Sequence, residues 1–157
     1  MLPGRLNIFF RFIAFWTKIC KGIFCVLVIR INIMHAFKTS RTAKINNKSD
    51  LVSISIIGMG AMGKGLFYQS HLTPGILCLA IADINIERAI SCAKWLKRDY
   101  NIVRNREEAE AATGKGILAV CEDGNIIAGC SGIDAVVDAS SSIIEAAIFC
   151  ETALNNH

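Results

Sequence analysis

The chain has 157 residues, enough for one domain with a substantial hydrophobic core. Its formal net charge is +4, but residues 1–49 hold nine Lys or Arg and no acidic residue, so residues 50–157 are net acidic and the positive total is no argument for nucleic-acid binding. Seven cysteines without a C-x-x-C pair and three scattered histidines show no metal-ligand spacing, and they favour a reduced, cytoplasmic protein with no bound metal.

Residues 1–50 are predicted to be a basic, hydrophobic extension and a linker rather than a folded domain. A membrane-spanning helix needs about 20 apolar residues. Every window of that length is interrupted by a basic side chain: Lys18, Lys21 or Arg30. The apolar run of residues 22–29 is too short for a convincing secretory signal. A mitochondrial presequence usually has more Ser and Ala than this extension contains. Membrane-surface contact through residues 6–37 stays open as an alternative, and polar residues 39–50 predict the linker.

The apolar, β-branched residues 52–57 predict the first strand, because the run is too short for a buried helix. The strand leads into a G-x-G-x-x-G turn, Gly58-Met59-Gly60-Ala61-Met62-Gly63, and a helix is predicted over residues 61–71. In a dinucleotide site the first glycine permits the tight turn and the second lets the backbone approach the pyrophosphate. The third lets the helix pack closely on the strand. The free N–H groups at the start of the helix would bind the pyrophosphate.

The same residues also fit most of a phosphate-binding P-loop, G-x-x-x-x-G-K, with Lys64 as its lysine. A P-loop needs Ser or Thr at the next position to bind magnesium, and Gly65 stands there. The dinucleotide interpretation is therefore favoured. Lys64 then becomes either a solvated lysine or an auxiliary phosphate contact.

A second apolar run, residues 76–82, predicts the next strand and ends at Asp83, 20 residues after Gly63. A carboxylate at this position would accept hydrogen bonds from the adenosine ribose hydroxyls. Its charge would repel a 2′-phosphate, so Asp83 favours NAD over NADP as the cofactor. Arg88, five residues further on, could reach such a phosphate, but an arginine on a helix is more often a solvated charge.

The remaining elements continue the alternation of strands and helices. Helices are predicted over residues 84–98, 106–113 and 143–154, with a short helical segment within 124–132, and strands over 117–120 and 133–139. The pattern predicts an α/β fold, a Rossmann-type doubly wound parallel sheet with strand order 3-2-1-4. That order places the ligand crevice between the first and fourth strands, where the glycine turn and residues 140–142 converge. The exposed edge of the fourth strand could associate with another chain to form an oligomer.

Two segments resemble the homoserine-dehydrogenase-like NAD(P)-dependent oxidoreductases, which are allied with the Gfo/Idh/MocA-type dehydrogenases, and most of all the branch that carries a SAF domain. The segments are SISIIGMGAMGKGLFYQSHLTPGILCLAIADINIERA and GKGILAVCEDGNIIAGCSGIDAVVDASSSIIEAAIFCETALNNH. The resemblance implies hydride transfer between a nicotinamide cofactor and a small polar substrate, amino- or hydroxy-acid-like. It implies pyrophosphate contacts from Gly58, Gly60, Ala61, Met62 and Gly63, a ribose contact from Asp83, and nicotinamide-side contacts from Ser140 and Ser141.

The resemblance covers about residues 51–157 and none of the first 50. In such enzymes the chain continues into a fifth strand and a substrate domain that holds the catalytic side chains, whereas this sequence ends at His157. We therefore expect an NAD(P)-binding domain truncated before the fifth strand, and no catalytic residue is assigned. The alternative is a non-catalytic dinucleotide-binding module or remnant, with or without membrane contact through residues 6–37.

Overall fold

The computed structural model describes residues 51–156, so the predictions made for residues 1–50 lie outside the described part of the chain. The strands are β1 (Val52–Ile57), β2 (Ile76–Ala82), β3 (Tyr100–Ile102), β4 (Leu118–Cys121) and β5 (Ala135–Asp138). The helices are α1 (Ala61–Leu72), α2 (Ile86–Trp95), α3 (Arg106–Gly114), α4 (Gly124–Ala128) and α5 (Ile143–Asn155).

The five strands form one sheet with the order β3-β4-β2-β1-β5, and every neighbouring pair is parallel. The predicted α/β class and doubly wound parallel sheet are confirmed. The four predicted strands keep their predicted order, since the third and fourth of them are β4 and β5. The register of β1 against β2 shifts between Ile54 and Ser55, where one residue of β2 is skipped.

The difference is β3, which the sequence prediction missed. This strand has three residues and pairs with the outer side of β4. Asn101 and Ile102 are exposed, and three residues are too few to show a strand periodicity in the sequence. Its extended conformation comes from pairing with the buried β4, a contact that single-sequence periodicity does not reveal.

Helices cover both faces of the sheet. On one face, α1 and α2 pack Phe67, Ala89 and Ala93 against Ile56 and Ile81. On the other face, α3, α4 and α5 contribute a second cluster that includes Ala109, Ile127, Phe149 and Ala153. Full burial of a side chain such as Phe67 stabilises the fold by roughly 1.5–3 kcal/mol. These two clusters hold the carboxyl ends of the strands in place.

The helices begin in two different ways. Side-chain caps close the starts of α3, α4 and α5: Asn105 accepts from the backbone N–H of Glu108, Asp123 from Asn125, and Ser142 from Glu145. The residues before α1 and α2, Gly60 and Asn85, make no side-chain cap. The first backbone N–H groups of these two helices therefore have no side-chain acceptor, although the Arg88 N–H in α2 donates to the Asn85 carbonyl at 2.9 Å.

The β5 edge of the sheet lies beside a helix with a partly apolar surface. Ile143, Ile144, Ile148 and Leu154 of α5 are exposed. Association of this edge with another chain stays a prediction. No helix between residues 51 and 156 is long and apolar enough to cross a membrane.

Candidate functional site

The glycine turn joins β1 to α1 at the carboxyl edge of the sheet, between the ends of two other strands. The Gly58 N–H donates to the carbonyl of Ala82, the last residue of β2, at 2.7 Å, and the N–H of Ala139, which follows β5, donates to the Ile57 carbonyl at 2.7 Å. Since β1 pairs with β2 on one side and with β5 on the other, the order of the strands reverses at β1. Open α/β sheets bind ligands in the crevice at such a topological switch point.

Two glycines of the turn are required by the fold itself. Gly58 has a φ of +88°, and a Cβ there would lie 2.7 Å from the Ser140 nitrogen and 2.8 Å from the Ala139 carbonyl carbon. A Cβ on Gly63 would overlap the Gly58 carbonyl oxygen. Gly58 therefore permits the turn and Gly63 permits close packing of α1, as the motif predicts.

Gly60 is different, because the fold gives no reason for glycine there. Its φ of −69° suits any residue, and no heavy atom lies within 4 Å of the position its Cβ would take. It stands at the uncapped start of the 12-residue α1, whose first turn contains no acidic residue. Ala61 is exposed and Met62 half-buried in that first turn. The backbone thus leaves open space beside the positive end of a helix, which suits an approaching anion.

Asp83 connects the glycine turn to the start of α2. Its side chain is only 4% exposed. Its Oδ2 accepts a hydrogen bond from the Met59 N–H at 2.6 Å, and its Oδ1 accepts from the Asn85 N–H at 2.9 Å. The Arg88 Nη1 lies 3.4 Å from Oδ1 and 3.5 Å from Oδ2. Spacing alone placed Asp83 near the turn, but it did not reveal the bond to Met59.

Ser140 lies directly against the turn, and Ser141 does not share its environment. The Ser140 N–H donates to Asp138 Oδ1 at 3.0 Å. Its Oγ is buried and has no hydrogen-bond partner among residues 51–156. A buried hydroxyl without a partner is rare and indicates a place for a water or a ligand group. Ser141 is exposed.

Lys64 is directed away from the turn towards α2. Its Nζ lies 4.5 Å from the centroid of the Trp95 ring, a cation–π distance. The Tyr68 ring lies beside Trp95, with 5.3 Å between centroids. The two roles left open for Lys64 were a solvated lysine and an auxiliary phosphate contact, and the structure instead shows a contact with the Trp95 ring.

The cysteines of the described part are free thiols without the character of nucleophiles. Burial raises the pKa of Cys78 and Cys121 to about 12 and that of Cys130 to about 11. These thiols are therefore protonated at neutral pH and behave as small apolar side chains. Between residues 51 and 156, no group of three or more His, Cys, Asp and Glu side chains could hold a metal ion.

These features lie together at the carboxyl edge of the sheet. The uncapped start of α1 and the space at Gly60 suit an anion, the buried Asp83 follows β2, and the unpartnered Ser140 hydroxyl lies after β5. Comparison with models of known protein families and with curated proteins gave no match. The family resemblance therefore stays a prediction.

Proposed function

We propose that residues 51–156 form the nucleotide-binding domain of an NAD(P)-dependent oxidoreductase. The observation that carries the proposal is Gly60, a glycine without steric or conformational need, beside an uncapped helix start at the switch point of the sheet. A dinucleotide supplies the missing reason, because the pyrophosphate requires close approach of the backbone at this position. The substrate class, a small amino- or hydroxy-acid-like molecule, is taken from the family resemblance alone.

Within this proposal each residue of the site has a defined task. Gly58 and Gly63 shape the turn, while Gly60 and the first N–H groups of α1 bind the pyrophosphate. Asp83 fixes the turn at the ribose end, and the Ser140 hydroxyl serves the nicotinamide end. The cofactor supplies the hydride chemistry, and the protein positions it. The acid, base and substrate-binding groups are not assigned to residues 51–156.

The first test is a thermal-shift titration of the full chain with NAD, NADH, NADP and NADPH. A ligand that binds only the native state stabilises it by RT ln(1 + [L]/Kd), which is about 2.7 kcal/mol at a hundredfold excess over Kd. We expect a clear rise in Tm with at least one of the four dinucleotides. A cooperative melt that none of them moves would overturn the proposal.

Gly60→Asp separates binding from folding. Asp is a favourable N-cap, and its charge complements the positive end of α1, so this variant should be as stable as the wild type. The added carboxylate would occupy the space at Gly60 and repel a pyrophosphate, so the dinucleotide-induced shift should disappear. The matched control is Gly65→Ala, because a Cβ on Gly65 also meets no atom within 4 Å but lies inside α1. It should keep full binding.

A further inference from the structure

The Asp83 carboxylate, which follows β2, already accepts hydrogen bonds from the backbone. Asp83 accepts backbone hydrogen bonds at 2.6 Å from Met59 and at 2.9 Å from Asn85, distances typical of charge-assisted bonds. With 4% of the side chain exposed, little of the carboxylate is accessible to a ribose hydroxyl. Asp83 is thus placed to brace the glycine turn against the start of α2.

Arg88 is the accessible member of this pair. Its side chain is 53% exposed, against 4% for Asp83. Only Nη1 contacts the carboxylate, and Nη2 and Nε form no hydrogen bond with any residue between 51 and 156. The guanidinium therefore compensates the Asp83 charge and keeps donors for a second anion.

We infer that Arg88 makes the site select a dinucleotide whose adenosine ribose carries a 2′-phosphate, with Asp83 acting as a brace for the turn. This inference rests on the proposed function. It reverses the preference for NAD that Asp83 suggests from sequence alone, because repulsion of a phosphate requires an accessible and uncompensated carboxylate. Here the carboxylate is buried, and the exposed group beside it is a cation.

Of the surroundings of Arg88, the start of α2 supports this selectivity, while the nearby charged side chains balance one another. The ten-residue α2 starts at Ile86 without a side-chain cap, so its positive end adds to the attraction for an anion. The charged groups near this part of α2 act on the Cys92 thiol. Burial and Asp83 raise its pKa, and Lys64 and Arg88 lower it. Two cations and one carboxylate thus act on this part of α2. The exposed Glu87 in the first turn of α2 opposes them.

The test is a fluorescence titration of the full chain with NADPH and NADH, followed by competition with 2′,5′-ADP and 5′-AMP. We expect the wild type to prefer NADPH over NADH, and 2′,5′-ADP over 5′-AMP. Arg88→Met retains the apolar part of the side chain and removes the charge. It should weaken NADPH and 2′,5′-ADP binding by about tenfold or more, because a charge-assisted hydrogen bond is lost. NADH binding should weaken much less than NADPH binding, because NADH has no 2′-phosphate.

Two further variants identify the cause of any change. Lys94→Met removes an exposed cation from the same helix and should leave both affinities unaltered, which excludes a general charge effect. Arg88→Lys keeps the charge but loses the planar fork, so its NADPH affinity should fall between those of the wild type and Arg88→Met. Melting curves confirm that each variant is folded.

Three outcomes are distinguishable. A wild type that binds NADH at least as tightly as NADPH overturns the inference and leaves the proposed function standing. An Arg88→Met variant that weakens NADH and NADPH equally also overturns it, because Arg88 would then support only the shape of the site. A chain that binds none of the four probes overturns the proposed function, and the inference falls with it.

Discussion

The glycine turn and the outer edge formed by β3 and α3 are held together in opposite ways. At the turn, buried hydrogen bonds join distant parts of the sequence, such as the Met59 N–H to Asp83. At the outer edge, exposed bonds join near neighbours: Asn105 accepts from the Glu108 N–H, and Glu108 accepts from the Arg104 N–H. The turn therefore forms only when the sheet is assembled, whereas the start of α3 is specified locally.

The same difference separates a candidate site from a structural helix start. Every helix begins with unpaired backbone N–H groups and a positive end. At α3, Asn105 and Glu108 satisfy that end in the manner of a capping box, so it offers little to an anion. At α1, Gly60 provides no cap and the space above it is open. The absence of a local solution at α1 is what makes the turn suitable for a ligand.

The largest effect should come from Gly63→Ala. The new Cβ would overlap the Gly58 carbonyl, a backbone atom that cannot move without shifting β1 or α1. We expect the free energy of unfolding, measured by urea denaturation, to fall by about 3 kcal/mol or more. Gly65→Ala, in the same helix but in open space, should instead raise it by roughly 0.5–1 kcal/mol. Equal stability of the two variants would contradict this account of the turn.

The next effect compares the brace at the turn with the cap at the outer edge. Asp83→Ala would leave the buried Met59 N–H without its acceptor, and should lower the free energy of unfolding by about 2–3 kcal/mol. Asn105→Ala removes a single exposed cap from α3, and should cost about 1 kcal/mol. Urea denaturation of both variants measures the difference. A larger loss for Asn105→Ala would show that long-range bonds do not dominate the stability of the turn.

The elements that a short-range sequence pattern specifies were predicted. The features that depend on contact with a distant segment of the chain were missed. The strand Val52–Ile57, the glycine turn and α1 were recognisable from an apolar run followed by fixed glycine spacing. The strand β3 was not, because its extended form depends on the backbone of β4. Asp83 contacts the turn through the Met59 N–H, but its burial and its contact with Arg88 arise only when α2 packs beside β1 and β2. A preference for NAD inferred from spacing cannot include that contact.

The smallest effect should be a pH dependence of the free energy of unfolding, caused by Glu110 of α3. Glu110 Oε1 accepts hydrogen bonds from the Ser131 N–H and from the Ser131 hydroxyl, each at 3.0 Å. These bonds, and to a smaller extent Arg106, hold the pKa of Glu110 below its ordinary value of 4.5. A carboxyl group whose pKa is lowered by folding stabilises the fold when it is ionised. That contribution is therefore fully present above the ordinary value and is lost as the pH falls through the lowered pKa.

Glu110→Gln, which mimics the protonated form, should thus be less stable than the wild type at neutral pH. The difference should be below about 1 kcal/mol, because Glu110 is partly exposed and solvent screens its interactions. It should shrink towards zero in acid, below the lowered pKa. Urea denaturation across that range measures it, with the exposed Glu151→Gln of α5 as the control for removal of a carboxylate. A stability difference that stays constant into acid would contradict this account. It would mean that the amide disturbs the contact with Ser131 sterically. The charge of Glu110 would then contribute nothing to joining α3 to the segment before β5.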